Sequence, residues 1–232
     1  MNIELANFET SMKVLPIMPH EAEPWLLKKH YAKRFPSISF AFGLYEHGIL
    51  VGVVTYGMPS SATLRNGIAG VDNAKFVLEL NRLCIESKNK NAASFLVGRS
   101  LRLLPNPSIV VSYADIAQNH VGYVYQACNF MYTGLSAKRT DWKIKGMEHL
   151  HSQTIVDMSK SCEGKRVEFM RKKFGTDFYL LERSRKHRYI YVTGKNKAVK
   201  NSIKYVKEPY PKGESKKYDA GKPVAIQNLL FS

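Results

Sequence analysis

The chain has 232 residues, is 44% hydrophobic and carries a formal net charge of +16, with a pI near 9.7. That length supports one sizeable core, or one domain with a smaller appendage. No apolar run reaches the ~18 residues of a membrane span, and MNIELANFET lacks the basic and apolar regions of a secretory signal, so a cytoplasmic chain without membrane insertion is expected. Cys84, Cys128 and Cys162 are scattered and form no CxxC, which supports neither a zinc knuckle nor a disulfide framework.

Taken in order, residues 1–18 read as a leading strand or irregular arm. A helix is expected from Pro19–Pro24 through Trp25 to His30 and Tyr31, with Glu21 and Glu23 early and Lys28, Lys29 and Lys33 late, as the helix dipole favours. Pro36 stops it. Ser37–Tyr45 alternates as a strand, Glu46-His47-Gly48 makes a turn, and Ile49–Tyr56 returns as the second arm of a hairpin. Pro59–Gly70 reads as a polar loop long enough to be functional. Lys75–Glu86 is the next strand. It bears Glu79 and Arg82, which are either an internal ion pair or site residues, because charges in a mostly buried strand need partners. Asn91–Leu104 has the pattern of an amphipathic helix. Ser94 lies in its first turn, either as a capping residue or beside free N–H groups that bind an anion.

The stretch from Ser108 to Ser136, SIVVSYADIAQNHVGYVYQACNFMYTGLS, reads as strand, loop, helix and strand. Ser108–Tyr113 is a buried β-branched run with Asp115 where it ends. A helix is expected over His120–Ala127, with Asn129 as its stop and a strand from Phe130. Asp115 is either a cap or a chemical group presented at the end of a buried strand.

Beyond Ser136 the texture changes. Residues 137–232 hold 23 Lys+Arg against 10 Asp+Glu, while residues 1–136 hold 12 against 9. Asp141–Lys145 suits a strand, Lys165–Lys173 a basic helix closed by Gly175, and Phe178–Glu182 and Tyr189–Thr193 two strands around the basic turn Arg183–Arg188. From Lys195 the chain is Lys-rich with Pro and Gly, a composition of doubtful order. A basic region interleaved with aromatics suits a nucleic-acid backbone; a solubilising tail is the other reading. The expected division is a core over 1–145 and a basic extension over 146–232.

This order of elements resembles the Gcn5-related N-acetyltransferase (GNAT) fold: a mixed, mostly antiparallel sheet flanked by helices. That fold cradles the acyl-CoA pyrophosphate on a Gly-rich turn. The matching stretch here, Ser87–Ala93, has no glycine. KKHYAKRFP, LNRLCIE, ASFLVGRSLRLL, SYADIAQNHVGYVYQACNFMYTG and RKHRYIYV together look like the Mom family of phage DNA-modification proteins, over about residues 25–195. The resemblance implies a transferase that converts the N6 amine of adenine in DNA to a carbamoylmethyl derivative and so protects the DNA from restriction, in the host cytoplasm. It implies functional roles for His30, Tyr31, Ser94, Asp115 and Tyr125, and a metal, iron, for which His30, Tyr31 and Asp115 are the N/O set if they converge.

On that basis Asp115 is the expected general base for a poorly nucleophilic amine. Tyr125 protonates a leaving group or stacks on the base, Ser94 holds an oxyanion or phosphate, and His30 and Tyr31 close the pocket. Lys138, Arg139, Lys165, Arg166, Arg171, Lys172, Lys173, Arg185, Lys186 and Arg188 are the expected contacts to double-stranded DNA. A carbamoylmethyl group has the atoms of a glycyl group in a different order, so an aminoacyl donor such as glycyl-tRNA is expected in place of acetyl-CoA. Two competing functions are an acyl-CoA-dependent N-acetyltransferase of a protein or tRNA amine and a non-enzymatic DNA-binding protein. The sequence leaves the oligomeric state open.

Overall fold

The computed structural model describes residues 12–30, 35–59, 61–150 and 152–213. Tyr31 and the tail from residue 214 lie outside the described residues, as does residue 1–11 of the leading arm. The chain forms two compact units, one of residues 1–135 with 186–232 and the other of residues 136–185. The division therefore falls around an insertion and not at residue 145.

The larger unit is built on a seven-stranded sheet whose strands run, in order across it, β1 (Lys13–Pro16), β2 (Phe40–Glu46), β3 (Ile49–Gly57), β4 (Val77–Ile85), β5 (Ile109–Asp115), β9 (Lys186–Val192) and β6 (Met131–Leu135). All neighbours are antiparallel except β4 and β5. This is the expected mixed, mostly antiparallel α/β arrangement. One face is covered by α3 (Ala92–Leu103) and α4 (Tyr123–Ala127), over a cluster that includes Tyr56, Leu80, Leu96, Phe130 and Tyr189. The other face carries α1 (Pro19–Pro24), α2 (Ala62–Asn73) and α7 (Lys197–Asn201). Leu96 and Val97 are fully buried, each stabilising the fold by about 1.5–3 kcal/mol relative to exposure.

Several elements depart from expectation for local reasons. The helix after Pro19 widens into a π-turn over Trp25–Lys29, with His30 N–H donating to Trp25 O at 2.9 Å. Pro24 sits inside it and brings no N–H, which breaks the α ladder there. The expected loop Pro59–Gly70 is mostly α2. Ser61 caps it by accepting from Leu64 N–H, and Ile68 and Ala69 are buried at its end. Its small residues hide the helical period from a sequence reading. Gly70 breaks the helix at φ 77°. The helix expected from His120 begins only at Tyr123, because Asn119 and Gly122 adopt left-handed conformations.

The expected strands on either side of Arg183–Arg188 do not pair with each other. β9 enters the main sheet between β5 and β6, where Tyr189 and Ile190 are buried. The tail expected to be poorly ordered from Lys195 is described as far as Gly213. Val199 is buried, Ile203 and Tyr205 join the same cluster, and Glu208 N–H donates to Tyr132 O at 2.9 Å. Apolar residues spaced among the lysines account for this docking.

The smaller unit consists of β7 (Arg139–Ile144), α5 (Ser152–Asp157), α6 (Arg166–Phe174) and β8 (Phe178–Arg183). β7 and β8 pair antiparallel. The unit has its own core of Ile144, Ile155, Met170 and Phe178. Trp142 meets Phe178 edge-on at 5.3 Å between centroids.

Candidate active site

β4 and β5 share a parallel ladder only from Val77–Ile109 to Glu79–Val111. Beyond it β4 continues to Ile85 and β5 to Asp115, without further pairing between them. A cavity of about 420 Å³ opens in this wedge. It is lined by His30, Ser94, Asp115 and Tyr125, so the four described members of the expected constellation share one site although they come from four elements.

Asp115 ends β5. Its Oδ1 accepts from Ala117 N–H at 3.0 Å, which caps a 3-10 turn over Ile116–Gln118. Its Oδ2 lies 3.5 Å from Lys186 Nζ, and Lys186 is its direct partner on the antiparallel strand β9. Asp115 thus caps the turn and also lines the cavity, with its second carboxylate oxygen beside an ammonium. His120 lines the same cavity, and burial pushes its pKa down while the Asp115 charge pulls it up. Glu79, partly buried on β4, has its pKa raised by burial, against the opposing charges of Lys186 and Arg82. Glu79, Arg82, Lys186 and Asp115 thus form one electrostatic group and not an isolated strand ion pair.

His30 is 5% exposed. Burial, aided by the Arg82 charge, lowers its pKa to about 4, so the imidazole is neutral at neutral pH. Arg82 is aimed by a β-bulge. Thr55 pairs with Arg82 and Tyr56 with Leu80, leaving Asn81 as the extra residue. Asn81 Oδ1 accepts from Thr55 Oγ1 at 2.6 Å and its Nδ2 donates to Ser37 O at 2.9 Å, while Arg82 donates to Asn81 O at 2.6 Å. The sequence marks Arg82 and Glu79 as charges needing partners; it carries no signal for Asn81 or for the pairing of Lys186 with Asp115.

Ser94 Oγ donates to Asn91 O at 3.1 Å, and Cys128 Sγ donates to Ser94 O at 3.4 Å. Tyr125 packs at 5.3 Å from Tyr189 and 5.4 Å from Phe130, between centroids. Its wall is fixed by a knot of polar contacts. Gln126 Nε2 reaches Val121 O and Tyr189 Oη at 3.1 Å and Pro211 O at 3.3 Å, while Tyr189 Oη also donates to Val121 O.

Of the expected DNA contacts, Lys138, Arg139, Lys165, Arg166, Arg171, Lys172 and Lys173 are exposed in the smaller unit. Arg185 is partly buried there, its Nε donating to Ser136 O at 2.7 Å. Lys186 and Arg188 belong instead to the larger unit and are engaged inside it. Arg188 donates to Thr133 O at 2.8 Å and stacks 3.4 Å from the Tyr205 ring centroid.

Acyl-CoA would sit at the turn before α3, and iron between His30, Tyr31 and Asp115. In the turn before α3, Ser87 Oγ accepts from Asn89 N–H at 3.0 Å and Asn89 Oδ1 from Asn91 N–H at 2.9 Å. Two of the turn's backbone donors are thus engaged by its own side chains, and Ala92 N–H donates to Asn89 O. Of the expected iron set, His30 and Asp115 line the cavity, Asp115 beside the Lys186 ammonium and His30 under the Arg82 charge, while Tyr31 lies outside the described residues. No three His, Cys, Asp or Glu side chains among the described residues gather as a metal set.

A model of the Mom protein family matches residues 11–212. The chain belongs to the Mom protein family. Its 29% identity to methylcarbamoylase mom of Escherichia phage Mu extends over 194 residues, 79% of this chain and 77% of that protein. Among solved structures, an N-acetyltransferase from Staphylococcus aureus aligns at TM-score 0.41 and 11% identity, over 78% of this chain and 98% of that one. A polyamine N-acetyltransferase from Drosophila melanogaster aligns at TM-score 0.42 and 12% identity, over 78% and 100%. The Mom-family match takes in His30, Ser94, Asp115 and Tyr125, so the cavity they line lies within the family's common region. No helix among the described residues is long and apolar enough to cross a membrane.

Proposed function

We propose that this Mom-family protein transfers a carbamoylmethyl group to the N6 amine of adenine in double-stranded DNA. The observation that carries the reading is the convergence of His30, Ser94, Asp115 and Tyr125 on one cavity, within a chain related to a methylcarbamoylase. The adenine N6 lone pair is delocalised into the ring, so the amine needs a base as it attacks. Asp115 takes that proton: its second oxygen is held by Ala117 N–H, and Lys186 keeps a positive charge beside it. The neutral His30 imidazole can accept or donate a hydrogen bond without adding charge to the pocket. Tyr125 offers a ring for the extruded base, and its hydroxyl a proton for the leaving group. Ser94, in the first turn of α3, turns its hydroxyl from Asn91 O to the donor carbonyl and orients it.

The donor is an aminoacyl ester such as glycyl-tRNA. A glycyl group is isomeric with carbamoylmethyl, so transfer followed by isomerisation supplies every atom of the product. The self-satisfied turn Ser87–Asn91 supports this reading over acyl-CoA. Ribonuclease treatment of an active extract tests it: modification that continues unchanged excludes an RNA-borne donor.

The main test is mass spectrometry of nucleosides from plasmid DNA in cells expressing the wild type or Asp115→Ala. A deoxyadenosine heavier by the carbamoylmethyl adduct, present with the wild type and absent with the folded variant, is the expected outcome. Unmodified deoxyadenosine from folded wild-type protein would refute the reading.

A further inference from the structure

The insertion carries a surface that the chemistry above does not use. β7 and β8 form a two-stranded ribbon whose register runs from Arg139 opposite Arg183 to Ile144 opposite Phe178. Alternation sends Ile144, Trp142 and Phe178 to the face that holds the unit's core. The opposite face carries Arg139, Asp141 and Lys143 on one strand and Tyr179, Leu181 and Arg183 on the other. Leu181 is 37% exposed.

Arg139 and Arg183 are exposed and directly opposite each other. Like charges at such a pair destabilise a ribbon. Neither makes an ion pair with a described residue, Asp141 on the same face included. The arrangement costs stability in the free protein and is relieved by an anionic or acceptor-rich partner. The contact of Arg185 with Ser136 O ties the two ends of the insertion and fixes the open end of the ribbon, where both arginines stand. A major groove about 12 Å wide admits a two-stranded ribbon, and arginine matches the O6 and N7 acceptors of guanine in two parallel hydrogen bonds. Leu181 supplies an apolar contact for a thymine methyl, and Asp141 an acceptor for a cytosine amine.

We infer that the outer face of the β7–β8 ribbon enters the major groove of duplex DNA, and that Arg139 and Arg183 read base edges of the substrate duplex. This rests on the proposed reaction, but it assigns sequence choice to a ribbon separate from the catalytic residues.

The test uses the full chain as wild type, as Arg139→Gln/Arg183→Gln and as Arg139→Lys/Arg183→Lys, each checked by thermal melting. Total adduct is measured by nucleoside mass spectrometry, and the bases around modified adenines by sequencing. Affinity for matched and random duplexes and for a tRNA is measured by fluorescence anisotropy. The glutamine variant should flatten the flanking-base preference and lose about tenfold or more in matched-duplex affinity. The lysine variant keeps both charges and guards against a folding artefact: it should hold random duplex nearly as well as wild type while losing the preference. Unchanged context and unchanged duplex affinity in either folded variant overturn the inference while leaving the reaction standing. Lost tRNA binding with duplex binding intact also overturns it, in favour of an RNA surface. If the wild type forms no adduct, the proposed reaction fails and duplex affinity alone decides: a tenfold loss supports the ribbon, no loss overturns it.

Discussion

His30 makes the protein sensitive to acid in a way that can be isolated. Its pKa falls from 6.5 to about 4 on folding, through burial and the nearby Arg82 charge. Between those values the unfolded chain binds the proton and the folded chain does not. Stability therefore rises with pH through this window, and is lost as pH drops from about 6.5 towards 4. By linkage the loss attributable to His30 is about 2 kcal/mol at pH 5 and about 3 kcal/mol once pH falls below 4. His30→Gln removes the titration while keeping a polar side chain of similar length. Urea unfolding of wild type and variant at pH 7.5 and pH 5, in a Trp142→Phe background, follows Trp25, whose carbonyl accepts from His30 N–H. Acidification should lower the wild-type midpoint by about 1 M more than that of the variant, for a slope near 2 kcal/mol per M. Glu79, His120 and His187 also titrate with folding, but in both proteins, and cancel in the difference. Equal acid sensitivity in the two proteins would sink the argument that His30 is held neutral.

Three further outcomes follow from the same physics. Gly122→Ala places a Cβ 2.5 Å from the Tyr189 ring at a φ of +79°, so it should destabilise by about 2 kcal/mol or more, and an unchanged melting temperature would refute this. Cys84 is buried with its thiol pushed up to about 12, so at pH 8 iodoacetamide should label it only on unfolding, whereas partly exposed Cys162 labels first in peptide mass spectrometry. Lys172→Gln with Lys173→Gln on α6 should weaken matched and random duplexes alike and reduce the salt slope of binding by about 2, while leaving the sequence context of modification unaltered.

The local elements were largely legible in the order of residues. The apolar run Ile109–Ala114, the aromatic hairpin arms and the amphipathic pattern of Ala92–Leu103 each state their period and their limits. His30, Ser94, Asp115 and Tyr125 are nameable as a group only through the family motifs, because spacing alone leaves Asp115 open between cap and chemical group and Ser94 between cap and anion binder. Both of those local contacts exist in the fold and do not exclude the cavity. The small residues of α2 read as a loop, and only the burial of Ile68 and Ala69 marks the segment as part of the core.

Which strand neighbours which is a matter of long-range pairing, and there the sequence was silent. Residues 136–185 are the clearest case. Read linearly they continue a basic tail, yet β9 returns to the central sheet and isolates them as a unit with its own core. The same pairing turns Lys186 from one more surface cation into the neighbour of Asp115, since only the β5–β9 register sets the two opposite each other. Composition and periodicity fix what a segment prefers and which residue types are available for chemistry. Register and strand order fix which charges meet, because an electrostatic contact a few ångströms long joins residues that the chain separates by dozens of positions.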